Sequence, residues 1–232
     1  KRKAEKLGIF LTDYQMGQFR QYYEMLIEKN KVMNLTAITE WEEVIDKHFI
    51  DSISLVKAVD LTGRKYVLDL GCGAGFPGIP LKIVFPEMKI ILLDSLNKRI
   101  LFLQDVIREL KLEDVEALHG RAEDYAKKAE YREQFDYCVS RAVANLTTLS
   151  EYCLPYVKVG GKFISYKSGK VKEELTEIKK AMFLLGGKVE DVISFSLPET
   201  DIERNFVVIQ KEKKTPGKYP RKAGLPGKEP LK

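Results

Sequence analysis

The length and composition of the chain are those of one globular domain. Its 232 residues are 44% hydrophobic and 10% aromatic, which suffices for one sizeable core but not for two. No apolar run approaches the roughly 20 residues of a membrane helix, and the basic start KRKAEKLGIF lacks the apolar stretch of a signal peptide. Three distant cysteines fit neither a disulfide framework nor a metal site. We therefore expect a cytoplasmic protein without a membrane or metal partner.

The positive charge is concentrated at the carboxyl end. Residues 211–232 contain eight Lys or Arg and two Glu, a net charge of +6 in a chain whose total is +5. Four prolines and three glycines in the same segment disfavour a long helix or a central strand. The segment therefore predicts a basic, flexible tail whose removal leaves stability unchanged. Such a tail is either a phosphate-binding arm or a solubilising terminus.

Helical and strand patterns alternate along the rest of the chain. Residues 12–30 have apolar side chains at helical spacing behind Thr12 or Asp13 as a cap, and residues 39–59 predict one or two short helices. Further helical patterns cover 96–110 and 171–185. Short β-rich runs cover 65–70, 88–94, 115–120, 135–140, 162–167, 188–196 and 204–211. The order predicts an α/β fold with a parallel sheet, helices on both faces and an antiparallel pair at the end.

The stretch LDLGCGAGFPGIPL (68–81) follows the first predicted strand. Gly71, Gly73 and Gly75 permit unusual backbone angles and the close approach of a ligand at the edge of the sheet where ligands bind. Two cofactors compete for this loop. A dinucleotide pattern, G-x-G-x-x-G, begins at Gly73, which is late relative to the end of the strand. The earlier register, G-x-G-x-G behind Asp69, looks like motif I of the Rossmann-like S-adenosylmethionine-dependent methyltransferases.

Side chains at the ends of the next three strands fit a nucleoside cofactor. Asp94 can bind a ribose diol of either cofactor, or cap the helix that follows it. Ala122 and Glu123 can flank an adenine ring, although Glu123 also suits the first turn of a helix. Arg141 can bind a carboxylate or phosphate through its planar guanidinium, or form an ordinary surface ion pair.

Eight motifs together resemble one family. They are NLT (34–36), HFIDSI (48–53), LDLGCGAGFPGIPL, LLDSLNKRILFL (92–103), GRAED (120–124), SRAVA (140–144), YKSGK (166–170) and PRKAGLPGKEPL (220–231). In this order they are similar to the motifs of the bacterial small-subunit ribosomal RNA guanine-N7 methyltransferases, also called glucose-inhibited division protein B. Many methyltransferases share the glycine motif, whereas HFIDS, LLDSLNKR and the PRKAG tail are far more particular.

The resemblance implies a fold, a cofactor and a partner. The fold is a class I methyltransferase with a mostly parallel seven-stranded sheet in a core over 61–211, a helical extension over 1–60 and the basic flexible tail over 212–232. The cofactor is S-adenosylmethionine, and the partner of the monomeric enzyme is 16S ribosomal RNA or the 30S subunit. Guanine N7 carries a lone pair and no proton, so its methylation needs no general base.

The resemblance and the strand ends together divide the candidate site residues into three groups. The cofactor site comprises Gly71, Gly73, Gly75, Phe76, Asp94, Ala122, Glu123 and Arg141. The substrate side comprises Asn34, His48, Asp51 and Arg141. The RNA contacts are Lys98, Arg99, Lys167, Arg221 and Lys222. Each has an ordinary alternative: a structural pair for His48 and Asp51, a turn for Asn34, and a solvated helix face for Lys98 and Arg99.

Two other functions stay open at this point. A methyltransferase of this fold can act on a small molecule or a protein, but the basic tail argues against that. A non-enzymatic role in cell division or RNA binding is suggested by the older family name alone, and it requires a degenerate cofactor loop, which the sequence does not have.

Overall fold

A computed structural model of the chain describes residues 1–141, 143–169 and 171–231. Ala142 of the SRAVA motif, Lys170 of YKSGK and Lys232 of the basic tail lie outside the described residues. No helix in the described ranges is both long and apolar enough to cross a bilayer.

Seven strands form one sheet in the order β3-β2-β1-β4-β5-β7-β6. The pairs among β1 to β5 are parallel, and β7 is antiparallel to both of its neighbours. The strands are β1 (Tyr66–Leu70), β2 (Lys89–Asp94), β3 (Val115–His119), β4 (Phe135–Arg141), β5 (Val157–Lys167), β6 (Gly187–Ser196) and β7 (Glu203–Lys211). The predicted α/β class, the mostly parallel seven-stranded sheet and the final antiparallel pair are confirmed.

Helices cover both faces of this sheet. They are α1 (Arg2–Glu5), α2 (Asp13–Met33), α3 (Trp41–Val44), α4 (Asp51–Ile53), α5 (Gly78–Val84), α6 (Asn97–Glu109), α7 (Ala122–Tyr125), α8 (Leu146–Cys153), α9 (Val171–Glu177), α10 (Lys179–Leu185) and α11 (Leu225–Lys228). Alternate residues of the central strands enter opposite cores: Val67 packs on the α2 and α6 side, and Leu68 on the α8 and α10 side. Because both faces are buried, these strands are continuous apolar runs.

The amino-terminal helices pack directly behind the glycine loop. The long helix α2 begins at Thr12, one of the two caps that the sequence predicted, and the Thr12 side chain and Gln15 form a reciprocal capping box. Its buried Tyr22 donates a hydrogen bond to the carbonyl of Ala74 in the loop. Between α3 and α4, residues Ile45–Ile50 form a π-helical turn. A turn of this kind re-aims side chains relative to a regular helix, and this one carries His48.

Residues 212–231, which we call the strap, lie against the core. The sequence predicted an extended, flexible tail here, but Tyr219 and Leu231 are buried in the α8 and α10 core. The Arg132 guanidinium donates hydrogen bonds to the carbonyls of Thr215, Pro216 and Tyr219. Composition suggested mobility because proline and glycine prevent a long regular element, but tertiary contacts hold the segment, which contains the short helix α11. Its removal therefore exposes core, contrary to the expectation from sequence.

Candidate active site

The glycine loop after β1 is a cradle held by two carboxylates. Asp94 Oδ2 accepts a hydrogen bond from Gly73 N at 2.9 Å, and Asp69 Oδ2 accepts one from Gly78 N at 2.7 Å. Gly71 and Gly73 have φ values of +73° and +58°, which favour glycine. A Cβ atom on Gly73 would meet no protein atom within 4 Å, so that side of the loop is open to a ligand.

Asp69 is an unusual carboxylate because one of its oxygens has no partner. The side chain is fully buried, and Oδ1 makes no hydrogen bond within the described residues. Burial raises the pKa of Asp69 to about 7, although the Gly78 amide and Arg141 oppose the shift. Buried polar groups are normally satisfied, so an orphaned oxygen beside an open cradle indicates a place for a ligand or an ordered water.

A cavity of about 630 Å³ opens beside this loop at the carboxyl ends of β1, β2 and β3. We call it the cofactor pocket. Its lining includes four of the predicted cofactor residues, namely Gly71, Asp94, Ala122 and Glu123. Asp94 has a second role that the sequence allowed, since its Oδ1 accepts a hydrogen bond from Leu96 N at the start of α6. Arg99 Nη1 lies 3.2 Å from its Oδ2. The size fits a small-molecule ligand.

The other four predicted cofactor residues are not part of this lining: Gly73, Gly75, Phe76 and Arg141. A Cβ on Gly75 would come within 3.0 Å of Ile79, Leu103 and Tyr22, so that glycine permits close packing of the loop on its helices. Phe76 is buried, and its ring stacks on the His48 imidazole with centroids 4.4 Å apart.

A second cavity, of about 460 Å³, contains the predicted substrate residues His48, Asp51 and Arg141. We call it the arginine pocket. Asp51 Oδ2 accepts a hydrogen bond from Arg141 Nη1 at 3.0 Å, and Oδ1 accepts one from Arg204 Nε at 3.1 Å. One carboxylate therefore joins two guanidiniums, and the cluster keeps one net positive charge. All three side chains are mostly buried, so a buried network takes the place of the surface ion pair that was the alternative for Arg141.

His48 and Asp51 do not bond to each other. His48 Nε2 shares a hydrogen bond with Thr36 Oγ1 at 2.8 Å, and Nδ1 lies 3.4 Å from Arg141 Nη2. Burial, reinforced by the charge of Arg141, lowers the pKa of His48 to about 4. The imidazole is therefore neutral at physiological pH.

The two pockets adjoin at the ends of β1 and β4. These strands pair in register from Val67↔Tyr137 to Asp69↔Val139, which brings Gly71 opposite Arg141 two residues further on. Ser140 Oγ donates a hydrogen bond to the Leu70 carbonyl at 2.9 Å and fixes this junction. A ligand in the cofactor pocket and one in the arginine pocket would be neighbours across this junction. No cluster of His, Cys, Asp or Glu that could hold a metal occurs in the described ranges.

Of the five predicted RNA contacts, two side chains are exposed to solvent and three form ion pairs with carboxylates of the protein. Lys98 and Lys222 are exposed. Lys167 Nζ, in contrast, lies 2.8 Å from Glu174 Oε2 and donates to the Ala144 carbonyl. Arg221 binds Glu151, and Arg99 binds Asp94.

Asn34, the remaining substrate candidate, is an exposed, left-handed cap of α2, the turn-forming role that was its alternative. Lys98 Nζ reaches the carbonyl of the preceding Met33 at 3.4 Å, so Asn34 lies beside the first turn of α6.

Several contributors to the site were not predicted, among them Arg204 in the arginine pocket, and Val143, Tyr152 and Gly224 in the cofactor pocket. Val143 and Gly224 fall in the SRAVA and PRKAG motifs, so the motifs marked their neighbourhood. Arg204 and Tyr152 lie in no motif and become visible only when distant segments meet.

The strand order, the glycine loop and the acidic residues at the ends of β1 and β2 define a class I methyltransferase fold. A solved S-adenosylmethionine-dependent methyltransferase from Aquifex aeolicus shares it with a TM-score of 0.53 and 19% identity, over 73% of this chain and 93% of that one. At this identity the likeness concerns the fold alone.

The chain belongs to the rRNA small subunit methyltransferase G family, whose model matches residues 15–207. A protein called ribosomal RNA small subunit methyltransferase G from Lachnoclostridium phytofermentans is 57% identical over 225 residues, 97% of this chain and 93% of that protein. One of the same name from Clostridium tetani is 55% identical over 226 residues, 97% of this chain and 95% of that protein. The family predicted from the motifs is confirmed.

Proposed function

We propose that the protein transfers the methyl group of S-adenosylmethionine to N7 of a guanine in 16S ribosomal RNA. The observation that carries the proposal is the pair of adjoining pockets at the ends of β1 and β4. The cofactor pocket offers the carboxylates of Asp94 and Glu123 beside the glycine loop, which suit a nucleoside, and the arginine pocket is net positive, which suits a nucleotide. The names of the relatives support ribosomal RNA as the substrate class.

The cofactor pocket offers groups for the nucleoside part of S-adenosylmethionine. The Asp94 carboxylate suits the ribose diol, and Ala122 with Glu123 suits the adenine ring. The buried Asp69 lies behind the glycine loop and holds it through the Gly78 amide. The cofactor supplies an electrophilic methyl group, and the residues around it bind and orient the two reactants.

The arginine pocket has the properties that guanine N7 requires. N7 attacks with its own lone pair, so the pocket needs no general base. The neutral His48 adds no positive charge beside a ring that becomes cationic as the bond forms. Arg141 and Arg204 hold one net positive charge with Asp51, which can bind a nucleotide phosphate. Exposed Lys98 and Lys222 can contact phosphates beyond the pocket.

The test combines ligand binding with mapping of the product. Titration calorimetry should give micromolar or tighter binding of S-adenosylhomocysteine and none of NAD. Purified 30S particles and their free RNA should then be incubated with labelled S-adenosylmethionine, and the product cleaved with borohydride and aniline, which cut at 7-methylguanine. Cleavage at a guanine of 16S RNA supports the proposal; NAD binding, or label without such cleavage, contradicts it.

A matched pair of arginine variants tests the phosphate contact. Arg204→Gln should weaken RNA binding. It should also make the plot of the logarithm of the binding constant against the logarithm of the salt concentration less steep by one phosphate contact, a change in slope of ~0.9 for a duplex or ~0.7 for a single strand. Arg64→Gln removes an exposed arginine just before β1, at the opposite edge of the sheet, and should leave the slope unchanged. Equal slopes for both variants would exclude Arg204 as a phosphate contact.

A further inference from the structure

A hydrogen bond joins the strap to the cofactor pocket. Gly224 N donates to Glu123 Oε1 at 2.8 Å, and both residues line the pocket. Gly224 has a φ of +81°, which suits glycine, and a Cβ there would meet no protein atom within 4 Å. The buried Glu123, a candidate for binding adenine, is thus held by a backbone amide about a hundred residues away in sequence.

Arg221 fixes the strap three residues before that contact. Its Nη2 lies 2.7 Å from Glu151 Oε2, its Nε lies 2.9 Å from Oε1, and its backbone N–H also donates to Oε1. Nη2 donates further to the Glu229 carbonyl, so one guanidinium closes the segment 221–229 into a loop. The loop contains Gly224.

The partner of Arg221 is a fully buried carboxylate. The Glu151 side chain has 0% exposure, and a charge buried so deeply is tolerated only with a well-placed partner. Glu151 belongs to α8, next to Tyr152, which also lines the cofactor pocket. Another contact joins the same two elements, since Thr148 Oγ1 donates to the Pro226 carbonyl at 3.1 Å.

We propose that Arg221 is a positioning residue for the cofactor pocket: by binding Glu151 it sets Gly224, and through it Glu123, in the wall that receives adenine. The inference rests on the proposed function, because it concerns the same cofactor. It differs from the prediction that Arg221 binds RNA, since its guanidinium is engaged inside the protein. The basic strap thereby acts on the cofactor side of the reaction.

Three proteins test this assignment by calorimetry with S-adenosylhomocysteine. Arg221→Gln should raise the Kd for the ligand at least ~10-fold. Arg221→Lys keeps a positive charge beside Glu151 but cannot bind both carboxylate oxygens as the guanidinium does, and should raise the Kd less. Lys228→Gln is the matched control, because it removes an exposed charge from the same strap, and its Kd should equal that of the wild type. Circular dichroism at the assay temperature checks that each variant is folded.

Two further readouts separate positioning from a merely structural role. In methylation assays of folded Arg221→Lys, KM for S-adenosylmethionine should rise while kcat stays near the wild-type value. In the wild type, S-adenosylhomocysteine should slow hydrogen exchange in the peptide that contains Gly224. Unchanged Kd and KM in Arg221→Lys, or exchange that the ligand does not affect, would overturn the inference. Failure of the wild type to bind the ligand at all would instead overturn the proposed function.

Discussion

The cofactor pocket and the arginine pocket are neighbours that are built in different ways. The first depends on a contiguous glycine loop whose backbone is held by Asp69 and Asp94. The second is a network of side chains from three distant segments, joined by Asp51 between two arginines. A backbone cradle can lose its ligand without losing the fold, whereas the loss of one member of a buried ion network leaves unpaired buried charge and destabilises the fold as well as the site. Variants in the two pockets should therefore fail differently.

The largest expected effect is the loss of Asp51. Asp51→Ala leaves the guanidiniums of Arg141 and Arg204 side by side without their shared carboxylate, and should lower the free energy of unfolding by about 3 kcal/mol. Urea unfolding followed by circular dichroism measures it. Asp46→Ala, in the preceding turn, breaks a more exposed single pair with Lys3 and should cost about 1 kcal/mol or less. Equal losses would mean that the network is no stronger than an ordinary ion pair.

Two glycines of the same loop should separate ligand binding from stability. Gly73→Ala places a methyl group in the open side of the cradle, and should weaken S-adenosylhomocysteine binding about 100-fold, ~2.7 kcal/mol. The positive φ should lower stability by only about 1 kcal/mol. Gly75→Ala instead collides with Ile79, Leu103 and Tyr22, and should lower the melting temperature more. Calorimetry and thermal unfolding of both variants check this; a Gly73→Ala protein with wild-type affinity would refute the cradle.

The difference between a contiguous loop and a network of distant side chains also explains what the sequence could predict. The cofactor loop was readable because Asp69, at the end of β1, and the three glycines that follow the strand lie within seven positions, where a local backbone geometry imposes a local pattern. The central strands β1 and β2 were readable for a similar reason, since strands buried on both faces are continuous apolar runs. Arg204 was invisible because a lone arginine in a strand has no pattern until folding brings it to Asp51.

The strap shows a second limit. Its charge and its prolines predicted a flexible arm, because composition reports what regular structure a segment can form and not what it can pack against. No sequence pattern marked Glu151, which is fully buried, and its contact with Arg221 spans 70 positions. A buried carboxylate and its partner are found only in three dimensions.

A smaller effect is expected from Asp94, whose carboxylate serves both the loop and the proposed ribose contact. Asp94→Asn removes a charged acceptor from Gly73 N and from the ligand, and should weaken S-adenosylhomocysteine binding by about 2 kcal/mol, ~30-fold. Equilibrium dialysis measures it. Asp105→Asn, on the exposed face of α6, serves as the control and should bind normally. No loss in Asp94→Asn would leave Asp94 as a cap of α6 alone.

His48, in the arginine pocket, and Asp69, behind the glycine loop, have pKa values that are shifted in opposite directions. His48 has its pKa lowered from 6.5 to about 4, so between these values the unfolded chain binds a proton that the native protein does not. Its contribution to stability is present above pH 6.5 and is lost as pH falls toward 4. Asp69 has its pKa raised from 3.8 to about 7, so its contribution is present below pH 3.8 and is lost as pH rises to 7. In the wild type the two effects oppose each other between pH 4 and 6.5.

The smallest expected effect separates these two groups. His48→Gln removes the group that destabilises the protein at low pH, so the wild type should lose about 1 kcal/mol relative to this variant when the pH falls from 6 to 5. Urea unfolding at the two pH values measures the difference, and Asp69→Asn should shift it in the opposite sense. His119→Gln replaces the other histidine, which is exposed, and should follow the wild type. If His48→Gln and the wild type change in parallel, His48 is not held neutral by its burial beside Arg141, and the arginine pocket would carry a cationic imidazole at acidic pH.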